Sequence, residues 1–260
     1  MADLDLVELL KKGREAWNQF RATDPEPNPD LSGAELLGLD LRGVDLNGAD
    51  LSDADLSWSD LTEANLAYAN LSKAVSWNSK ARPTEAANLT RTDLTRADLR
   101  DTDFSGSKLG HATLRWAELA GAKLIRVDFG NSDLTGASLV RCNLSYANLS
   151  YANLTSANLS GADLTDARLN GAELTQTNLT NAKLAGADLA NAIFGATILA
   201  GLDLREPGGL EDVEHRGPSF IGIETLYRSG GQIPDSFLKA AGVPDDVLNV
   251  LLPLIRKGSC

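Results

Sequence analysis

A large apolar residue recurs at every fifth position along most of this chain. The series runs without a slip through 24 units from Leu89 to Leu204, and through nine earlier units from Leu31 to Leu71. A small residue, usually Ala, lies two positions before most of these apolar residues, and the residue between them is mostly Asp or Asn. An internal repeat of this kind constrains the fold more than any other feature.

A period of five residues fits neither a helix nor a straight strand. In a helix, five residues advance by about 500°, so successive Leu residues would leave no apolar face. In a strand, an odd period would place successive Leu residues on opposite faces. The chain must therefore turn within each unit and coil about an axis, with Leu and the small residue pointing inward. The period alone does not set the number of corners in a coil.

Two runs of the repeat resemble a known family. The segments ADLSDADLSWSDLTEANL (residues 49–66) and ANLSYANLTSANLSGADLTDARL (residues 147–169) are similar to the A(D/N)LXX motif of pentapeptide-repeat proteins. This resemblance covers residues 30–205. It implies an all-β solenoid, a right-handed quadrilateral β-helix with about 20 residues per coil and about eight coils. We therefore expect the β-helix to occupy residues 31–204.

The residues before the repeat have helical spacing. Leu6, Leu10, Trp17 and Phe20 lie on one side of an amphipathic helix predicted over residues 4–21, with Asp3 or Asp5 as its N-cap. A stacked coil leaves unpaired strand groups at its end, so we expect this helix to cover that end. A proline-rich connector completes an N-terminal region over residues 1–30.

One interruption breaks the repeat. Leu71 and Leu89 are 18 positions apart, so residues 74–87 are predicted to leave the coil as a loop. Loops on rigid scaffolds often contact partners, and Trp77, Lys80 and Arg82 are the candidate contacts here. A tolerated surface insertion is the alternative.

A third region follows over residues 205–260, where Pro and Gly replace the repeat. Helices are predicted over residues 220–228, 235–241 and 245–257. Their apolar residues are too many for exposed helices, so they must cover the end of the coil, a second subunit or a following domain. The candidate assembly surface, which would form a homodimer, consists of Val247, Leu248, Leu251, Leu254 and Ile255.

The two ends of the chain carry a second resemblance. FIGIETLYRSGGQIPDSFLKAAGVPDDVL (residues 220–248) and the stretch over residues 16–36 are similar to bacterial pentapeptide-repeat proteins that continue into a Toll/interleukin-receptor (TIR) domain. The resemblance implies a sensing or assembly part of a longer TIR-type effector. It carries over no NAD-cleaving activity, because the sequence contains no TIR residues.

Residues for catalysis or metal binding are scarce. His111 and His215 are the only histidines, and neither has a Cys or His neighbour at metal-ligand spacing. Cys142 takes a small inward position, and no phosphate-binding glycine motif occurs. We therefore expect no enzyme, cofactor or metal. The chain lacks a signal peptide, a membrane span and a disulfide framework, which favours the cytoplasm.

Charge suggests an alternative function. The net charge is −12, and some pentapeptide-repeat proteins mimic duplex DNA and bind DNA gyrase or another type II topoisomerase, as in quinolone resistance. Residues 31–73 hold eight acidic and two basic residues, whereas residues 88–204 hold twelve and ten. An acidic face on the first coils is the candidate contact, with Asp45, Asp50, Asp55 and Asp60. Direct nucleic-acid binding is disfavoured, because no basic stripe appears.

Several aromatic residues occupy the outward position two places after a central Leu. Trp58 and Trp116 are the candidate partner contacts, and Tyr68, Tyr146 and Tyr151 share the position. Tyr and Trp are common anchors of protein interfaces, although scattered rings can also be ordinary surface residues. The sequence therefore favours a non-catalytic scaffold or protein-protein interaction module with an unknown protein partner, over the DNA mimic.

Overall fold

The structure is a computed structural model that describes residues 2–23, 28–76 and 86–258. Each repeat unit ends in a turn. The residue two positions after the central Leu has a positive φ, 57° at Tyr151 and 67° at Gly171. The next residue closes the turn, as where the Ala152 N–H donates to the Leu149 carbonyl over 3.1 Å. Each unit thus redirects the chain, as the period of five requires.

Four units make one coil. Parallel β-bridges join residues 20 positions apart, such as Asp30 with Asp50 and Asn143 with Asp163. The ladder continues beside each bridge, where the Leu144 N–H donates to the Asp163 carbonyl over 2.7 Å. The coil therefore has four faces, here called first to fourth, which begin with Leu31, Leu36, Leu41 and Leu46. A corner takes the name of the face that precedes it.

The interior of the coil is a stack of apolar side chains. The central Leu residues and the Ala residues two positions earlier are buried, and Phe104, Phe129 and Phe194 replace Leu at three positions. Where Thr or Ser takes the small position, its hydroxyl makes a hydrogen bond inside the coil, in most cases to a backbone carbonyl, as Thr177 does to Leu154 over 2.7 Å. The polar atom is satisfied inside the coil, so the stack continues without a break.

The interruption adds eight residues to one coil. Across it the bridges join residues 28 apart, such as Asp60 with Asn88 and Val75 with Asp103. Residues 74–76 and Ala87 stay in the coil, although they were expected in the loop, and the Ala87 N–H donates to the Ser76 carbonyl over 3.2 Å. The insertion therefore lies between Ser76 and Ala87, at the second corner. Trp77, Lys80 and Arg82 lie outside the described residues.

The N-terminal region forms two helices rather than the single one expected. They are α1, Leu4–Lys11, and α2, Arg14–Thr23. Between them Gly13 has φ of +99°, which a continuing helix does not permit. The Asp3 carboxylate accepts from the Asp5 N–H over 2.9 Å and is the N-cap of α1.

These helices pair with two edges of the first coil. The N–H groups of Ala2 and Asp3 donate to the carbonyls of Ser32 and Asp30 over 3.0 and 2.9 Å. On the fourth face the Trp17 indole, fully buried, donates to the Asp45 carbonyl over 2.7 Å. The backbone edge groups of these two faces therefore have partners.

The coil does not end at Leu204 as expected, because two short strands beyond it pair with two strands of the last repeat units. The four strands are β1, Ile193–Phe194, β2, Ile198–Leu199, β3, Glu214–His215, and β4, Phe220–Ile221. β3 pairs in parallel with β1, and β4 pairs in parallel with β2. A 3-10 turn at Leu210–Asp212 lies between β2 and β3 in the sequence. The irregular segment after residue 204 is thus one further, longer coil.

Three helices follow that coil: α3, Ile223–Arg228, α4, Asp235–Ala240, and α5, Asp245–Gly258. The Leu202 N–H donates to the Thr225 hydroxyl over 3.1 Å, and the Leu204 N–H donates to the Ser229 hydroxyl over 3.0 Å. α3 and the residue that caps it therefore supply hydrogen-bond partners to the backbone of the last regular coil. In the described ranges no helix is both long and apolar enough to cross a bilayer.

Candidate interaction surfaces

The acidic side chains before each Leu have a local structural role. The Asp50 carboxylate accepts from the Ser52 N–H over 3.0 Å, and the Asp55 carboxylate accepts from the Ser57 N–H over 2.9 Å. Asp45 and Asp60 accept in the same way from the residue two positions later. Such Asx hydrogen bonds stabilise a turn, so the role of an Asp or Asn at this position is to stabilise the coil.

The structure does not bring the four acidic candidates together. Successive units lie on successive faces, so Asp45, Asp50, Asp55 and Asp60 point from four different faces of the rod. The expected acidic face on the first coils is therefore wrong, and these carboxylates form a ring around the rod. Residues that share a face are 20 apart, or 28 apart across the insertion.

The two tryptophan candidates occupy different corners. Trp58 is half-buried on the second corner, where its indole nitrogen is shielded from water and has no hydrogen-bond partner among the described residues. Trp116 is exposed on the fourth corner. Tyr146 lies on the second corner too, four coils after Trp58. The Arg126 guanidinium lies 5.1 Å from the ring centroid of Tyr146. The aromatic residues thus divide among corners that face different directions.

The C-terminal candidates divide between core and surface. Leu248 and Ile255 are buried in the core, and Leu251 packs against it. Val247 and Leu254 are exposed, and Val250, which the sequence did not single out, is 67% exposed. Val247, Val250 and Leu254 recur at spacings of three and four, so they share one face of α5. Phe220, Ile223 and Tyr227 add exposed apolar side chains on β4 and α3.

Two titratable side chains are shielded by the fold. Burial raises the pKa of Cys142 to about 12, and its Sγ donates to the Leu119 carbonyl over 2.8 Å, so it is a packed small residue. Burial lowers the pKa of His215, whose ring lies 5.0 Å from that of Phe237 and 5.9 Å from that of Phe194. Within the described residues, no three His, Cys, Asp or Glu side chains are grouped as metal ligands.

The family follows from the repeat. A family model described as "Pentapeptide repeats (8 copies)" matches residues 30–75 and 85–195, more than half of the chain. The chain belongs to the pentapeptide-repeat family. The gap in the match coincides with the insertion that adds eight residues to one coil. No curated protein matches the chain.

Several solved pentapeptide-repeat proteins are similar to this one. HetL of the cyanobacterium Nostoc, a protein involved in heterocyst differentiation regulation, is 29% identical over 79% of this chain and 90% of its own, with a TM-score of 0.30. A protein of the Arabidopsis thaliana thylakoid lumen is 29% identical over 38% of this chain and 69% of its own, with a TM-score of 0.37. QnrB1, a plasmid-mediated fluoroquinolone resistance protein, is 16% identical over 72% and 91%, with a TM-score of 0.39. Because these TM-scores are below 0.5, the family assignment rests on the repeat.

The charges of this pentapeptide-repeat protein are segregated in a way that the sequence analysis missed. Residues 1–72 hold 15 acidic and five basic residues, whereas residues 73–126 hold six acidic and ten basic residues. Residues 127–204 return to seven acidic and three basic residues. A charge count in windows of two or three coils, rather than on either side of the insertion, reveals this central basic segment.

Proposed function

We propose that this pentapeptide-repeat protein is a non-catalytic interaction module that pairs with a second copy through its C-terminal helices. The observation that carries the proposal is the exposed apolar face of α5, formed by Val247, Val250 and Leu254. An exposed apolar face of this kind favours a protein contact, because contiguous exposed apolar patches on folded proteins mark interaction sites.

The ends of α5 favour a symmetric pair. The helix begins with Asp245 and Asp246 and ends with Arg256 and Lys257. When two copies of α5 pack antiparallel across a two-fold axis, the acidic start of each lies opposite the basic end of the other. Val250 lies near the middle of the helix and would approach its counterpart at the axis. Charge and apolar pattern therefore support the same arrangement.

A second candidate occupant of this surface is a TIR domain in a longer polypeptide, as the resemblance of residues 220–248 implies.

The DNA-mimic alternative has less support. A duplex mimic needs an acidic surface along its length, whereas residues 73–126, between the two acidic parts of the chain, hold more basic than acidic residues. A topoisomerase supercoiling assay tests it, and we expect no inhibition.

The pairing is tested by light scattering across a concentration series. We expect a dimer for the parent chain and a folded monomer for the double variant Val250→Glu, Leu254→Glu. The matched control is Leu4→Glu, Leu37→Glu, which adds the same charge at exposed leucines of the other end and should remain dimeric. A parent that is monomeric at every concentration, or a double variant that stays dimeric, would reject the pairing.

A further inference from the structure

One corner of the rod carries an arginine between two aromatic residues on three successive coils. Tyr68, Arg96 and Trp116 hold the same turn position on the fourth corner. The Tyr68 N–H donates to the Thr95 carbonyl over 2.9 Å, and the Arg96 N–H donates to the Arg115 carbonyl over 2.8 Å. Since coils stack about 4.8 Å apart, the two rings stand about 10 Å apart with Arg96 between them.

Both aromatic rings are exposed, and the Trp116 ring is also held against the rod. Tyr68 is 60% and Trp116 is 51% exposed. The Trp116 indole lies over Gly136 of the next coil, where a Cβ would overlap its Cε3 atom. One face of the indole ring therefore packs against the backbone of Gly136, and the other face is accessible to a partner. Rings held in this way lose little conformational entropy on binding.

Further basic side chains lie across the fourth face. Arg91 and His111 stand on the corner at its other edge, on successive coils, and Arg115 follows Leu114 of the face itself. Arg91 lies 3.6 Å from Glu63, and Arg115 lies 3.8 Å from Asp133. Arg96 is exposed and takes part in no ion pair with the described residues. Its guanidinium donors are therefore available to a carboxylate from outside.

We propose that this surface, formed by Tyr68, Arg96, Trp116, Arg91 and Arg115, binds an acidic segment of a partner protein. Charge complementarity indicates an acidic occupant. Arginine binds carboxylates through two parallel hydrogen bonds, and Tyr and Trp pack against the backbone and aliphatic parts of an extended segment. On this surface Arg91 and Arg115 each lie near one carboxylate, whereas Arg96 takes part in no ion pair with the described residues, so Arg96 is the group that attracts a carboxylate from outside.

A nucleic acid fits this surface less well. Duplex DNA carries one charge per about 1.7 Å of axis and would extend beyond a basic segment that covers about three coils. On either side it would meet the excess of acidic residues in positions 1–72 and 127–204. A short acidic peptide can remain within the basic coils.

Binding of a fluorescein-labelled oligoglutamate to the full chain, followed by anisotropy at physiological salt, tests the proposal. We expect saturable binding, and Arg96→Asn and Trp116→Asn should each weaken it about tenfold, the effect of losing one charge-assisted hydrogen bond or one interface anchor. Asn is suitable because both sites have a positive φ, which Asn tolerates.

The matched controls are Arg141→Asn and Tyr151→Asn. Both sites have the same positive φ, and both side chains lie over a glycine of the next coil, Gly161 and Gly171, but they stand on other corners. Their affinity for oligoglutamate should equal that of the parent. No saturable binding, an equal loss in both pairs of variants, or tighter binding of an oligothymidylate would overturn the proposal.

This proposal rests on the chain being a protein-binding module, but it concerns the middle of the rod. The variants at Arg96 and Trp116 leave α5 unchanged, so light scattering on them should still show the dimer. Loss of oligoglutamate binding with an intact dimer and loss of the dimer with intact binding are therefore separate results.

Discussion

The corner residue of each unit has to adopt a left-handed conformation, and this requirement explains much of the surface composition. Gly, Asn and Asp are frequent there because they tolerate a positive φ. Larger residues at the corner lean over the next coil, as Trp116 does over Gly136 and Tyr151 does over Gly171. A glycine at one corner position therefore depends on the residue 20 positions before it.

Two glycine substitutions separate backbone strain from steric overlap. At Gly106 an added Cβ meets only the Ala86 Cβ, at 3.7 Å, whereas at Gly136 it overlaps Trp116. We expect Gly106→Ala to lower the free energy of unfolding by about 1 kcal/mol through the positive φ alone, and Gly136→Ala to lower it further. Urea denaturation measures both. Adding Trp116→Ala to Gly136→Ala should recover the difference, and equal effects at the two glycines would contradict the steric reading.

His215 should make stability depend on pH. Burial lowers its pKa, and both ring nitrogens lie buried without a hydrogen-bond partner in the described part of the chain. The unfolded chain therefore binds a proton at higher pH than the folded one. The resulting stability is fully present above the ordinary pKa of about 6.5 and is lost as pH falls below it.

Urea midpoints at about pH 7.5 and 5.5, on either side of the ordinary histidine pKa, test this expectation. His215→Phe should reduce the difference between the two midpoints, since a phenyl ring can take the same place between Phe194 and Phe237. His111→Asn, at the exposed histidine, should leave the difference as in the parent. The same decrease in both variants would show that His215 is not the source.

At the scale of elements, the insertion lengthens one coil without changing how the neighbouring coils pair. The insertion changes the bridge spacing from 20 to 28 residues while the ladder continues on both sides. Ser76 stays inside the coil, where its hydroxyl lies 2.6 Å from that of Ser107. This buried hydroxyl pair shows that Ser76 keeps an inward position of the coil at the start of the insertion.

Removing eight residues should therefore restore an ordinary unit. Deletion of residues 79–86 leaves Ser76, Trp77, Asn78 and Ala87 in sequence, with Asn78 at the corner position that requires a positive φ. We expect a folded chain with a thermal midpoint at least as high as the parent, because closing a longer connection costs more entropy. Deletion of residues 79–85 shifts the inward pattern by one position and should unfold the adjoining coils. Similar midpoints for the two deletions would contradict the register argument.

At the scale of the whole molecule, the two ends of the rod differ. In the first coil the Asp45 N–H donates to the Asn18 side chain over 2.9 Å, whereas the N–H groups of Glu35 and Asp40 donate no hydrogen bond to described residues. A repeat protein is stabilised by contacts between neighbouring coils, so a half-covered end should open more readily than the middle.

Hydrogen exchange measures this gradient. We expect amide hydrogens in residues 31–48 to exchange faster than those in residues 139–158, because the latter coil has a neighbour on each side. Within the first coil, Glu35 and Asp40 should exchange before Asp45. Uniform protection along the rod would mean that the molecule opens only as one cooperative unit.

The sequence alone predicted the coil and its inward residues. The reason is that one large apolar residue in every five can be buried together only when the chain turns in each unit. It also placed α4 and α5 closely, since Asp235 and Asp245 begin runs with helical spacing. The right-handed sense of the coil stays a prediction from the family resemblance.

Only the tertiary structure decided which outward residues meet. Neighbours on a face are 20 or 28 positions apart, so Asp45 and Asp50 separate, whereas Tyr68, Arg96 and Trp116 align. The division of the C-terminal leucines into buried Leu248 and exposed Leu254 depends on how α5 packs against α3. A five-residue repeat determines what is buried in each unit, but contacts between units depend on coil length, and those contacts form the surface.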